Sequence, residues 1–201
     1  MPRYLNHTGA TPQVAFIVLL LTFAALLFAG CGKSGVSGLH VKSAATGEKD
    51  LPVKTSYAFA VTKSFTDTSG KVTTAPSFRT YVASYDLDAG NFAMTLDKPL
   101  TSDDQVRVVF SLVGEQGGNE KTPPKAGTYS AKADKFMKVE DVGIVSRKGG
   151  PDNKFWFDRG TVTGQVKVTS ATAESISGDV DLTAGDNNIK GSFTAKVLAR
   201  K

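Results

Sequence analysis

The sequence predicts an all-β domain, an antiparallel meander of about eight to ten strands forming a β-sandwich or flattened barrel. Three observations predict it. From about Lys54 onward, apolar residues recur with a period of two and not with the helical period. Clusters of Gly, Pro, Asn, Asp and Ser punctuate the chain at short intervals. Beyond the N-terminal apolar run, no stretch offers an amphipathic helix of three turns.

Each strand follows from its own alternation. Tyr57, Phe59 and Val61 alternate with smaller residues, and Thr68-Ser69-Gly70 makes the turn that follows. Residues 78–87 place Tyr81, Ala83, Tyr85 and Leu87 on one side. Asp86 to Asn91 reads as a turn, after which Phe92, Met94 and Leu96 alternate with Ala93, Thr95 and Asp97. Val106, Val108, Phe110 and Leu112 form the next apolar face. A polar loop then runs from Gly114 to Ala126, followed by a short strand at Tyr129 and another from Val139 to Ser146. Glu140-Asp141 reads as part of a loop. Gly149 to Asn153 is a turn cluster in which Pro151 fixes φ and Asp152-Asn153 tolerate turn geometry. Lys154-Phe155-Trp156-Phe157 and three final strands complete the domain.

Those last strands share a pattern: Val162-x-Gly164-x-Val166, Ile176-x-Gly178-x-Val180 and Ile189-x-Gly191-x-Phe193. With hairpin loops at 170–172 and 183–186, Gly164 pairs with Gly178 and Gly178 with Gly191, making one row of glycines. Glycine weakens a strand unless the missing side chain is used. The row either lets the sheet coil sharply or makes room for a bulky side chain, for which Trp156 is the candidate. Its functional version is a groove for an apolar ligand or a partner strand.

The first thirty residues differ in composition from the rest. They carry Arg3 and no acid, and Val14–Phe28 is apolar except for Thr22. That run is shorter than the roughly 20 residues a helix needs to span a bilayer, and it has the layout of a secretory signal. Phe28-Ala29-Gly30-Cys31 resembles the lipobox of bacterial lipoproteins, although Leu27 stands one place before the usual leucine position. The resemblance implies a signal helix over 1–30 and cleavage before Cys31, which becomes the lipidated first residue. It also implies a partner in the membrane, held by lipid on Cys31. Cys31 is the only cysteine, so no internal disulfide is available. With Gly32 in place of Asp, the resemblance implies the outer membrane or else the extracytoplasmic face of the membrane. Residues 31–53 read as a flexible linker that begins GKSGVSG, with Leu39 to Val53 open between strand and tether, and 54–201 as one domain.

The chemistry narrows the function further. Losing Arg3 takes the net charge from +5 to +4, with charges interspersed, which excludes a nucleic-acid stripe. The densest basic groups are Lys132, Lys135 and Lys138, then Arg147-Lys148. With His40 as the one histidine after the signal, Ser-His-Asp, Cys-His and zinc sites lack their parts. Asp86 to Asn91 departs from a calcium loop by one position and lacks its Glu. Asp179 and Asp181 share the polar face of a strand. No cofactor is implied. The expectation is a membrane-anchored envelope protein with a non-enzymatic β-domain for an envelope protein, a glycan or a small apolar ligand. The rivals are a lipocalin-like carrier with an enclosed cavity and a glycan-acting enzyme with two carboxylates converging beside Trp156.

Overall fold

Alternation becomes strand wherever the apolar set can be buried, and among the described residues eleven strands form. The computed structural model describes residues 37–198 apart from 45 and 91–95. The strands are β1 (Gly38–Ser43), β2 (Gly47–Pro52), β3 (Thr55–Thr66), β4 (Val72–Ala83), β5 (Val106–Val113), β6 (Gly127–Ser130), β7 (Lys138–Arg147), β8 (Asp152–Trp156), β9 (Thr163–Ala171), β10 (Ser175–Ala184) and β11 (Asn187–Leu198). The expected signal helix, Cys31 and the alternating segment at Phe92 and Met94 lie outside the described residues.

Eight strands close into a barrel in the order β3-β4-β5-β7-β6-β9-β10-β11, with β11 returning to β3. Most ladders are antiparallel, and β3-β4-β5 and β9-β10-β11 are meanders. Closure adds two parallel contacts, Lys196–Leu198 of β11 against Tyr57–Phe59 of β3, and Ser130 of β6 against Lys138 of β7. One edge of β11 is shared: residues 188–192 pair with β1 and 196–198 with β3. The β1–β2 hairpin therefore branches off the barrel at that seam. In the same way β8 branches from the C-terminal half of β7.

The hairpin shortens the expected linker. Leu39, Val41 and Leu51 are buried in the main core, and the turn of the hairpin lies between Ser43 and Gly47. Alternation of three large apolar residues outweighs the disordering effect of Pro52, which ends the edge strand where it costs no ladder bond.

Two cores form on opposite sides of one wall. Val106, Val108, Phe110 and Leu112 of β5 point into the barrel, where Phe78, Tyr129, Ile144 and Phe193 join them. Phe110 and Phe193 meet edge to face at 5.2 Å between centroids. On the outside, Tyr81, Ala83 and Val109 pack with Leu87 and Leu96 of the β4–β5 connection. β5 is thus buried on both faces, Arg107 included. Arg107 Nη1 donates to Tyr85 Oη and to the Lys98 carbonyl, both at 3.0 Å. Arg147 Nη1 donates to the Leu100 carbonyl at 2.7 Å, and Asp152 accepts the Leu100 N–H at 3.1 Å. These charge-assisted bonds pin the connection to the wall.

The glycines are placed for curvature. Gly185, at φ 58°, is the first central residue of a two-residue turn, so Gly191 pairs with Val180 and not with Gly178. Gly164 pairs with Leu182, and a bulge at Ser177/Gly178 sets Gly178 opposite Val168. The expected single row is therefore staggered. A Cβ on Gly164, Gly178 or Gly191 would lie 2.0, 2.3 or 2.2 Å from the carbonyl oxygen of Asp181, Lys167 or Gly38. Gly191 also has φ 132°, which L side chains rarely adopt. Gly191→Ala is expected to destabilise the barrel by about 2 kcal/mol or more, read from the urea midpoint, because both strain and collision oppose it.

The β1–β2 hairpin carries a pH-sensitive link. His40 Nδ1 lies 2.8 Å from Asp50 Oδ1, and Nε2 lies 3.3 Å from Glu48 Oε1. The hydrogen bond to Asp50 raises the His40 pKa above the ordinary histidine value. The stabilisation is therefore complete below the unfolded-state pKa and is lost as pH rises through the raised one. Asp50→Asn is expected to return the His40 titration, followed by NMR, toward the ordinary value.

Candidate functional site

The sequence marks Trp156, Gly164, Gly178 and Gly191 as a possible binding or packing groove, and the structure places Trp156 away from the three glycines. Carbonyl oxygens of neighbouring strands occupy the space beside Gly164, Gly178 and Gly191. Trp156 lies on a different glycine, Gly143 of β7, with which it is paired across the β7–β8 ladder. A Cβ on Gly143 would fall 2.5 Å from Trp156 Cε3 and 2.7 Å from Cζ3, so only glycine lets the indole rest on the wall. Phe155 and Phe157 point the other way, into the core, and Trp156 keeps 46% of its surface exposed.

The residues beside Trp156 come from a β-bulge. Val109 of β5 faces Gly143 and Ser111 faces Glu140, so β7 carries one residue more than β5 across this interval. Asp141 absorbs it with φ 51°, a conformation uncommon for a non-glycine residue. Val139 and Val142 both remain in the core, which sends two consecutive residues, Glu140 and Asp141, away from it. Glu140-Asp141 is therefore strand, not loop. The legible signal was the broken alternation in Val139-Glu140-Asp141-Val142-Gly143-Ile144.

Each carboxylate has its own cation. Glu140, nearly buried, pairs with Lys63 of β3, and Asp141 with the exposed Arg159. Burial pushes the Lys63 ammonium below the ordinary lysine value, with Asp141 acting in the opposite direction. Arg79 Nε donates to Tyr81 Oη at 2.7 Å, and Tyr81 Oη donates to Asp97 Oδ2 at 3.2 Å. Desolvation raises the Tyr81 pKa, so the phenol stays protonated as a donor. The outer wall thus carries an exposed indole over Gly143 and, two and three residues earlier on β7, two carboxylate–cation pairs.

The other sequence candidates are dispersed. Asp179 and Asp181 are exposed on β10, with Asp181 3.5 Å from Lys190. Asp88 accepts the Gly90 N–H at 2.9 Å, as a turn residue. Among the described residues no group of three His, Cys, Asp or Glu side chains is disposed to hold a metal ion, and no helix is long and apolar enough to cross a membrane. At one barrel mouth the Gly114–Ala126 loop leaves two open clefts of about 280 and 250 Å³, with Phe78 lining both.

Fold and site together describe an eight-stranded β-barrel with a side-chain-filled interior and a polar–aromatic patch on its outer wall. No known family model, curated protein or solved structure gives a significant match to this chain.

The Lys63–Glu140 pair should be coupled. Glu140→Gln is expected to cost about 2 kcal/mol of stability, because it leaves a partly buried ammonium unpaired. In a double-mutant cycle with Lys63→Met, that cost should largely disappear, as measured by chemical denaturation.

Proposed function

We propose that this protein is a lipid-anchored component of a bacterial cell envelope whose β-barrel is a non-enzymatic binding module working from its outer wall. The observation that carries this reading is the filled interior. An eight-stranded barrel has room either for its own side chains or for one small ligand. Here Phe78, Phe110, Tyr129 and Phe193 are fully buried and pack in the main core. A carrier of the lipocalin kind would need that space, which leaves the wall and the mouth clefts as binding surface.

The two carboxylates of the β7 bulge favour binding over catalysis. A glycosidase needs one carboxyl group that can deliver a proton and a second that is free to attack or activate water. Glu140 and Asp141 are each engaged by a cation instead. They act as fixed hydrogen-bond acceptors.

The anchor rests on Cys31, its uniqueness and the lipobox-like residues before it. With β1 starting at Gly38, only six peptide steps separate Cys31 from Ser37. An extended chain of that length reaches about 20 Å, so the β1–β2 end of the barrel would stay near the bilayer surface. Beside it lies an open, largely apolar groove formed by Leu39, Leu51, Pro52 and Gly191.

Cys31→Ser tests the anchor. Expressed in a bacterial host and fractionated, the variant is expected to remain unprocessed at this site and to lose lipid labelling. Cleavage before residue 31 at the wild-type level, with unchanged sedimentation with membranes, would overturn the lipoprotein reading.

A further inference from the structure

Resting on the reading of the barrel as a binding module, we propose that the wall around Trp156 is a carbohydrate site for an uncharged pyranoside. Trp156 supplies the platform. One face of its indole lies on the Gly143 backbone, and the residue remains 46% exposed. An indole face carries negative quadrupole density, which attracts the polarised C–H bonds on the apolar face of a sugar ring. A single exposed aromatic would need no explanation by itself. What singles out this one is its company within four residues of β7.

Asp141 holds a left-handed backbone conformation two residues from Gly143, and Glu140 is a nearly buried carboxylate beside it. Strained backbone persists where surrounding structure enforces it, and it gathers at ligand clamps. The strain here has a visible consequence, since the bulge turns Glu140 and Asp141 both out of the core. Two strand residues span about 7 Å, so Asp141 and its partner Arg159 stand one side-chain step from the platform. That separation suits a ring stacked on Trp156 whose hydroxyl groups reach the rim. The Asp141 carboxylate would accept from sugar hydroxyls, and the Arg159 guanidinium would donate to them.

Charge selects the class of sugar. Lys63 with Glu140 and Arg159 with Asp141 are two neutralised pairs, so the site offers donors and acceptors with little net field. Lys154, on the same face of β8 as Trp156, and Lys138, close to Lys63, add positive charge at the edge, and Asp158 just after β8 offsets part of it. That arrangement fits a neutral, hydroxyl-rich ligand better than a polyanion.

Trp156 is the only tryptophan in the chain, so its fluorescence reports on the site directly. The full-length protein in detergent is titrated with tri-N-acetylchitotriose, a neutral oligosaccharide. A saturable change in emission is expected, with half-saturation at about 1 mM or below. By calorimetry, Trp156→Ala should weaken binding about tenfold or more, and Trp156→Phe should recover part of the loss. Asp141→Asn keeps a residue tolerant of positive φ, and should weaken binding about fivefold with circular dichroism unchanged. The proposal is overturned by the absence of a saturable response in folded protein or by undiminished binding in folded Trp156→Ala. A response confined to dextran sulfate and abolished by salt would overturn it as well. Release of new reducing ends during the titration would leave the sugar site standing and overturn the non-enzymatic reading instead. Membrane fractionation of Cys31→Ser tests the anchor independently of both.

Discussion

Closure of the barrel depends on how closely neighbouring backbones approach in the last three strands. At Gly164, Gly178 and Gly191 the adjacent carbonyl oxygens stand where a Cβ would be. A sheet that must coil through a full turn needs places where its strands bend and crowd, and glycine provides them. Once β10 and β11 coil in this way, the end of β11 reaches β3 and the ring closes through a short parallel ladder. The same bend leaves the first half of β11 with a free edge, which β1 takes up. Closure and the branched hairpin thus have a common physical origin.

A second irregularity shapes the outside. In a regular strand Glu140 and Asp141 would face opposite ways, and one carboxylate would enter an apolar core at a prohibitive desolvation cost. The extra residue at Asp141 resolves the conflict and returns Val142 and Ile144 to the interior. It also leaves Gly143 on the outer wall, where the bare backbone receives Trp156. One inserted residue therefore keeps the core apolar and sets two carboxylates on the same strand as the glycine that carries Trp156.

The legible part of the fold was the part governed by local alternation. Strands at Tyr57–Val61, Val106–Leu112 and Val139–Ser146, and the three at the end, follow from side chains that take alternate faces. Leu39, Val41 and Leu51 obey the same rule, yet their surroundings of Gly, Ser and Pro resemble a tether. Their strand character comes from the free edge of β11, a partner nearly 150 residues away in sequence. Trp156 was legible as an unusual residue, but its seat was not. Gly143 carries no pattern of its own, whereas the repeated glycines near the C terminus draw the eye.

Composition and periodicity by themselves determined the class: all-β, with a single cysteine and so no internal disulfide. They also determined which face of most strands would be apolar. Register was decided by tertiary structure, because the two-residue turn at Gly185 shifts Gly191 by two places, and the loop after Ala171 together with the bulge at Ser177/Gly178 shifts Gly178 by four. Such shifts preserve the alternation and so leave no trace in it. Tertiary structure also decided which side chains pack inside the barrel and that Trp156 sits on its outer wall. Both depend on which distant strands meet, a matter of closure geometry and not of any single segment.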